Sequence, residues 1–278
     1  MKSATANMEV ISIGNELLTG KIPNTNAQWL ARQATTMGIT IKRITVITDN
    51  IDEIANATRE ALNRHPKFII TTGGLGPTFD DKTLQGIAKA LNRKLEVNKK
   101  ALKMVEEKYS AYARKKGTKT VKLTPPQTKM ATIPEKTQPI PNPIGTAPAI
   151  KANLKGTLLI SLPGAPSEME SIFKEAIAPL LKQVSHGKAF HEKSIYADEI
   201  IESTLAPIID TVMHKNPGIY LKSHPRGEEN KPHIELHLSI TAKQAEKPEE
   251  KLQAATNQLS RLITRNKGKV FTTNQLDA

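Results

Sequence analysis

Apolar and polar residues alternate along the first 72 residues in a way that predicts strands separated by helices. Short apolar or alternating runs predict strands at residues 8–14, 39–47 and 67–72. Apolar residues at helical spacing predict helices over residues 24–38 and 50–65, each preceded by residues that cap helices. Strands alternating with helices of this length indicate parallel strands joined by helical crossovers, an α/β fold.

The pattern continues less regularly to residue 184. Helices are predicted at about 80–91 and at 98–117, and the second of these is mostly solvated. Residues 118–148 contain seven prolines, so long regular elements are improbable there. A strand within residues 156–164 and a helix over 166–184 follow, the helix beginning at a proline.

A second, smaller α+β domain is predicted after Val184. The sequence there reads as a helix, two strands, a further helix and a last strand, and the strand around residues 233–242 has a clear period of two. We expect the larger domain to span residues 8–184 and the smaller one residues 193–275, joined near residues 185–192.

Composition excludes several classes of protein. The 278 residues include no cysteine, so disulfides and thiolate metal sites are impossible. No apolar run reaches the ~18–20 residues of a membrane span, and the first residues lack the apolar core of a signal peptide. A cytoplasmic protein without membrane association is expected. The net charge of +13 is spread along the chain, which favours a solvated basic surface over a nucleic-acid interface.

A glycine loop follows the third predicted strand and has the properties of a phosphate site. Gly73, Gly74 and Gly76 allow a ligand to approach the backbone closely. The loop is not a Walker A motif, and Phe79 occupies the place of the third glycine of a dinucleotide fingerprint. It ends in Asp80 and Asp81, and carboxylates beside phosphates are expected where a divalent cation lies between them. Capping of the next helix is the alternative role for these two aspartates.

Three further turns contain polar residues, and two of them follow predicted strands. Because ligands bind at the carboxyl ends of parallel strands, Glu16, Asp81 and Glu168 are predicted to converge on one metal, with Asp80 and Asp81 as catalytic residues. The alternative for each carboxylate is a cap or a surface residue. The predicted ligand-binding residues are Gly14, Glu16, Asn24, Asn26, Thr72, Gly73, Gly74, Gly76, Asn142, Gly145, Thr146, Gly164 and Ser167.

Four motifs, "GNELLTGKIPNTNAQWL", "TTGGLGPTFDDKT", "NPIGTAP" and "LPGAPSEM", resemble the CinA family (competence/damage-inducible protein A) in order and spacing. The resemblance covers about residues 8–184. It implies a domain of the molybdopterin-binding (MoCF) type, with three α/β/α layers and a mostly parallel sheet. The remainder resembles the small KH-like α+β domain of CinA proteins. Asp81 matches the aspartate that closes the family's loop. The sequence departs from the family at Asn15 and Ala149, and it ends before the amidase domain that many members carry.

The resemblance implies a nucleotide- or pterin-phosphate ligand, a divalent metal ion (Mg, Mn or Co) and a homodimer. CinA-like proteins are associated with ADP-ribose pyrophosphatase activity, whereas related domains bind and adenylylate molybdopterin. We therefore expect diphosphate hydrolysis, with molybdopterin binding or transfer as the alternative. A nucleic-acid-binding protein is a third hypothesis, but residues 185–278 contain no GXXG loop. No specific nucleic-acid partner is expected.

Overall fold

A computed structural model describes residues 6–115, 122–227 and 233–272. The chain forms two compact units. One comprises residues 1–35 and 39–185, and the other comprises residues 36–38 and 186–278. None of the helices in the described ranges combines the length and the apolar composition of a membrane span.

The first unit is an α/β domain built on a six-stranded sheet, as the sequence predicted. Its strands are β1 (Asn7–Ile13), β2 (Thr40–Ile47), β3 (Phe68–Thr72), β6 (Gln138–Ile140), β7 (Ala149–Leu154) and β8 (Thr157–Leu162), and a separate pair comprises β4 (Leu95–Val97) and β5 (Thr132–Pro134). Its helices are α1 (Asn15–Leu18), α2 (Thr25–Thr36), α3 (Ile51–Asn63), α4 (Thr83–Leu91), α5 (Lys99–Lys115), α6 (Pro125–Lys129), α7 (Pro166–Ile172) and α8 (Ala178–Ser185).

The order of the strands contains a switch point at β1, where the chain stops adding strands on one side and continues on the other. The order is β2-β1-β3-β8-β7-β6, in which β1 pairs in parallel with both β2 and β3, and β3 pairs in parallel with β8. Strand β7 alone runs in the opposite direction, because it pairs antiparallel with both β8 and β6. The chain therefore runs outward from β1 to β2 on one side and then crosses to β3 on the other. Such a switch point opens a crevice at the carboxyl ends of the strands.

Helices pack on the sheet through its alternating side chains. On one face, Ile11 and Ile69 of the strands form a buried cluster with Ile54 of α3 and Ile87 of α4. The residues next to these in the strands point to the other face of the sheet and are also buried. Helices α2 and α7 bury apolar residues too. The mostly parallel sheet of the predicted MoCF-type domain is thus confirmed.

A buried ion pair connects the first strand to the end of α3. Glu9 of β1 is only 4% exposed, and Arg64 binds it with two nitrogens, Nε to Oε1 at 2.9 Å and Nη2 to Oε2 at 2.7 Å. This hydrogen bonding raises the pKa of Arg64 above its ordinary value. The pair compensates the burial of a carboxylate within a sheet that is otherwise apolar.

The first unit differs from the sequence prediction in several details, among them the short elements α1, α6, β4, β5 and β6, which were not predicted. The helix after the glycine loop begins at Thr83 instead of about residue 80, because residues 78–81 form a turn in which the Asp81 N–H donates to the Thr78 carbonyl. Strand β7 was not predicted, since its sequence AIKANL lacks a clear period of two. The predicted helix 166–184 contains a π-helical segment, Phe173–Ile177, between α7 and α8.

The second unit is a small α+β domain, as predicted. Strand β9 (Lys188–Asp198), helix α9 (Glu202–Lys215), strands β10 (Tyr220–Pro225) and β11 (His233–Lys243), helix α10 (Pro248–Arg265) and strand β12 (Lys269–Phe271) follow one another. The sheet order is β10-β11-β9-β12, and every pair is antiparallel. The sequence β-α-β-β-α-β with this order is a split βαβ arrangement. Strand β9 includes residues 188–192, which the sequence placed in the linker.

One side of the small sheet packs on its two helices. Ile195, Leu236 and Leu238 of the central strands form a buried cluster with Leu205 of α9 and Leu259 of α10.

Polar side chains on the other strand positions are paired across strands. Glu235 accepts hydrogen bonds from Arg226 (Nη2 to Oε2, 2.7 Å) and from the Ser194 hydroxyl at 2.8 Å. His233 Nδ1 lies 2.6 Å from Asp198 Oδ1, and His237 Nε2 lies 2.9 Å from Glu192 Oε2. These histidines are thus paired with carboxylates of the neighbouring strand.

Candidate ligand-binding site

A cavity of about 440 Å³ lies at the carboxyl ends of the parallel strands. Its walls come from the loops after β1, β2, β3 and β8, together with residues preceding β7. This is the crevice expected at the switch point between β1 and β3. We call it the acidic cavity because five carboxylate residues line it: Glu16, Asp49, Asp80, Asp81 and Glu168.

The glycine loop after β3 requires its glycines. Gly73 and Gly74 have φ angles of +100° and +67°, which residues other than glycine rarely adopt. A Cβ on Gly73 would lie 2.2 Å from the Ile13 carbonyl oxygen, and one on Gly74 would lie 2.3 Å from Thr83 Oγ1. The Thr83 hydroxyl in turn donates to the Gly73 carbonyl at 2.8 Å. The loop is therefore held tightly between the end of β1 and the start of α4.

The two aspartates that close the loop are bound to Thr78 and do not cap α4. The Thr78 N–H donates to Asp81 Oδ2 at 2.8 Å, and the Thr78 hydroxyl lies 2.6 Å from the same oxygen and 2.5 Å from Asp80 Oδ1. The hydrogen bond from Thr78 is the main reason that the pKa of Asp80 lies below its ordinary value. The N-cap residue of α4 is Lys82, with no side-chain cap. The capping alternative for both aspartates is therefore wrong in this structure.

Asp49 is a further carboxylate of the cavity that the sequence analysis missed. It follows β2 and accepts a hydrogen bond from the Asn15 N–H at 2.9 Å. Burial raises its pKa above the ordinary value, and the negative charges of Glu16, Asp80 and Asp81 raise it further, against the effect of the Asn15 N–H. The one sequence signal for Asp49 was its position just after the parallel strand β2, because Asp49 belongs to no motif.

Two predicted ligand residues hold another site residue instead of lining the cavity. Asn142 Nδ2 donates to Glu168 Oε2 at 2.6 Å and to the Ala147 carbonyl at 2.9 Å. Its Oδ1 accepts from the Gly145 N–H at 2.8 Å. A Cβ on Gly145 would lie 2.0 Å from Glu168 Oε2. Asn142 and Gly145 thus fix the carboxylate of Glu168. The predicted ligand residue Ser167 does not line the cavity either.

Two asparagines of the loop after β1 connect it to its neighbours. Asn24 lies within hydrogen-bonding distance of the Ser12 hydroxyl, and its Oδ1 accepts from the Ala27 N–H at 3.2 Å. Asn26 Nδ2 donates to the Gly164 carbonyl at 2.8 Å, which joins the loops after β1 and β8. Within the described residues, Asn26 Oδ1 is buried without a hydrogen-bond partner, and it is therefore available as an acceptor.

Most of the predicted residues meet at this cavity. Those lining it are Gly14, Glu16, Asn24, Asn26, Thr72, Gly73, Gly74, Gly76, Asp80, Asp81, Thr146, Gly164 and Glu168. However, no three His, Cys, Asp or Glu side chains in the part of the chain that the structure describes are close enough to hold a metal ion together. Glu16, Asp81 and Glu168 share the cavity without forming a ready-made ligand set. Their role as metal ligands stays a prediction.

Residues 9–183 match the family described as "Probable molybdopterin binding domain", MoCF_biosynth. Proteins of Sulfurisphaera tokodaii and Caldivirga maquilingensis are 41% and 42% identical to the chain, over 91% and 90% of it and 94% of each relative. Among solved structures, the protein CinA of Thermoplasma acidophilum, described as having unknown function, is 39% identical, and the match covers 64% of this chain and 98% of that protein, with a TM-score of 0.56. The chain thus belongs to the molybdopterin-binding-domain (MoCF_biosynth) family, as a CinA-like member.

Proposed function

We propose that the acidic cavity binds a nucleotide- or pterin-phosphate ligand with a divalent cation, and that the protein hydrolyses the diphosphate of ADP-ribose or a related nucleotide. The observation that carries this proposal is the meeting of a glycine loop with five carboxylates in one cavity at the switch point of the sheet. A glycine loop offers backbone N–H groups to phosphate. Carboxylates would repel that phosphate unless a cation lay between them.

The mutual repulsion of the carboxylates supports a role for a cation. Asp49 lies within the electrostatic reach of Glu16, Asp80 and Asp81, so the cavity concentrates negative charge that an anionic ligand alone would increase. Oxygen donors of this kind fit Mg²⁺, Mn²⁺ or Co²⁺. Mg²⁺ is usually held by one or two carboxylates together with waters and substrate phosphates. A cavity without three clustered ligands is compatible with that mode.

Each part of the cavity then has a chemical task. Asp80 and Asp81, held by Thr78, would present anionic oxygens to the cation, together with Glu16 and Glu168. The cation would supply Lewis acidity and a more acidic bound water. The glycine loop and Asn26 would orient the phosphates. In the overall reaction, water would cleave a phosphoric anhydride bond of ADP-ribose, giving AMP and ribose 5-phosphate.

The experiment is a hydrolysis assay on purified protein with a panel of nucleoside diphosphate compounds, with Mg²⁺, Mn²⁺, Co²⁺ or EDTA. We expect AMP and ribose 5-phosphate from ADP-ribose with at least one cation and no product with EDTA. Absence of product under every condition would reject the hydrolase.

The alternative is molybdopterin binding or adenylyl transfer without hydrolysis, and the family of residues 9–183 favours it. Binding of a pterin phosphate without turnover of ADP-ribose would support this alternative.

Other parts of the proposal concern partners and location. We propose a homodimer in the cytoplasm that has no specific nucleic-acid partner. Light scattering coupled to gel filtration tests the dimer. Binding to DNA or RNA should be weak and should fall steeply with salt, as expected for phosphate contacts alone.

A further inference from the structure

A second cavity lies against the glycine loop. Its lining is more apolar than that of the acidic cavity and includes one carboxylate, Asp81, in place of five. Its volume is about 720 Å³. Leu75, Leu84, Leu95, Leu123 and Pro125 supply its apolar lining, and we call it the leucine cavity. Its polar lining residues include Gln85, Thr128 and two lysines, Lys122 and Lys129.

The two cavities share one wall. Gly74, Leu75, Gly76 and Asp81 line both the acidic cavity and the leucine cavity. A ligand whose phosphate contacts the N–H groups of this loop is therefore within one loop's thickness of the leucine cavity. The loop has no room for a side chain at Gly76, because a Cβ there would lie 2.6 Å from Asp81 Oδ2.

The chemistry of the leucine cavity suits a planar heterocycle. Binding sites for small organic groups typically have volumes of about 300–1,000 Å³, apolar walls and a few polar groups that fix orientation. Here the apolar floor is rigid, because Leu75 and Leu84 belong to a buried cluster with Val105 and Met130. A flat ring can contact such a floor without rearranging it.

Gln85 provides the polar group that could recognise the edge of a ring. It lies on α4 and is half-buried, and its carboxamide makes no hydrogen bond to any part of the chain that the structure describes. A carboxamide offers both a donor and an acceptor, which matches the alternating donors and acceptors at the edges of purines and pterins. Because the side chain is only half-buried, a ring that enters the cavity would replace solvent as the hydrogen-bond partner of this carboxamide.

Lys129 lies at the boundary between the cavities. It lines the leucine cavity from α6, and its Nζ donates to the Thr78 carbonyl in the loop that carries Asp80 and Asp81. A cation here suits a phosphate that joins a ring on one side to a second group on the other.

We propose that the leucine cavity binds the planar nitrogen heterocycle, a nucleobase or a pterin, of the ligand whose phosphate binds at the glycine loop, and that Gln85 reads the edge of that ring. The assignment rests on the proposed function only in placing phosphate at the loop. It does not depend on hydrolysis.

The test is calorimetric titration of the full chain with Mg²⁺ and three monophosphates that differ in their ring. AMP and neopterin phosphate carry rings, and ribose 5-phosphate carries none. We expect one ringed compound to bind at least about tenfold more tightly than ribose 5-phosphate. Which of them does so separates a nucleotide ligand from a pterin ligand.

Two variants locate the ring. Gln85→Ala should weaken the ringed compound by about tenfold, the scale of one or two hydrogen bonds in a desolvated cavity, and should leave ribose 5-phosphate unchanged. Thr128→Phe fills the leucine cavity and should have the same selective effect. Gln138→Ala, an exposed glutamine of β6 that lines neither cavity, is the matched control.

Equal binding of all three compounds to the wild type would overturn the assignment. So would a preference for the ring that survives both Gln85→Ala and Thr128→Phe. A wild type that hydrolyses nothing but shows the ring preference, lost in both variants, would reject the hydrolase and keep the heterocycle site.

Discussion

The carboxylate of Asp49 accepts a hydrogen bond from the backbone N–H of Asn15 at 2.9 Å, and so joins the loop after β2 to the loop after β1. This bond holds a carboxylate beside three others that repel it. The fold tolerates the repulsion at the place where a cation would relieve it. Asp49 is therefore the residue at which stability and function are expected to oppose each other.

Asp49→Asn should preserve or raise stability while lowering activity. A carboxyl group whose pKa is raised on folding destabilises the fold when it is ionised at neutral pH, and asparagine keeps an acceptor for the Asn15 N–H without the charge. Metal-dependent hydrolysis should fall by about 10²–10³, the loss typical of one electrostatic element of an active site. Urea unfolding in EDTA, followed by the fluorescence of Trp29 in α2, measures stability, because Trp29 is the one tryptophan of the chain.

Asp210→Asn is the matched control, because Asp210 is exposed on α9 of the second unit. It should change neither quantity. A clear loss of stability in Asp49→Asn would mean that the Asn15 bond outweighs the repulsion.

Asp81→Asn should separate the metal role of this residue from its role in the loop. Asparagine retains an acceptor for the Thr78 N–H, which Asp81 Oδ2 accepts at 2.8 Å, so the unfolding midpoint should change little. The weaker oxygen ligand should lower kcat for ADP-ribose by about 10²–10³. Raising the Mn²⁺ concentration should recover part of the activity if the defect lies in cation affinity. Full activity without added metal would reduce Asp81 to a residue that shapes the loop.

The sequence predicted those site residues that belong to contiguous motifs. Gly73 and Gly74 follow β3 directly and Asp81 closes the same loop, and both strand-end position and local turn chemistry can be read from neighbouring residues. Asp49 was missed because one aspartate after a strand has no local signature. The support of Glu168 by Asn142 spans 26 residues, and no local pattern encodes such a contact.

The fold was predictable to a similar depth. The parallel strands of the first unit are short apolar runs and were found, whereas β7 and β9 and the three-residue strands β4, β5 and β6 were missed. The sequences of β7 and β9, AIKANL and KAFHEKSIYAD, mix charged and apolar residues, so their own composition does not mark them as strands, and pairing with neighbouring strands stabilises them. Tertiary context of this kind overrides local strand propensity.

Arg64→Ala should destabilise the first unit substantially. The change leaves Glu9, 4% exposed, as a buried carboxylate without its hydrogen bonds from Arg64. Removing one partner of a buried ion pair costs about 3–5 kcal/mol, and because Arg64 is partly exposed we expect a loss of about 3 kcal/mol. Urea unfolding monitored through Trp29 measures it. Lys103→Ala, which removes an exposed pair with Glu107, should cost less than about 0.5 kcal/mol. Equal effects of the two substitutions would contradict the structural role of the Glu9–Arg64 pair.

Glu235 in the second unit should make stability depend on pH in the acidic range. The hydrogen bond from Arg226 is the main cause that lowers the pKa of Glu235, and the Ser194 hydroxyl lowers it further, against the effect of burial. Because the folded pKa lies below the unfolded value, the unfolded state binds more protons between them. The stabilisation is therefore complete above the unfolded pKa and is lost as the pH falls through the folded pKa. In a carbon-13 NMR titration of the glutamate carboxyls, with the Glu235 signal assigned by its absence in Glu235→Gln, the pKa of Glu235 should lie below the ordinary value of a glutamate. In Arg226→Gln the titration midpoint of Glu235 should move upward, because the largest cause of the shift is gone. An unchanged midpoint for Glu235 in Arg226→Gln would show that the pair does not persist in solution.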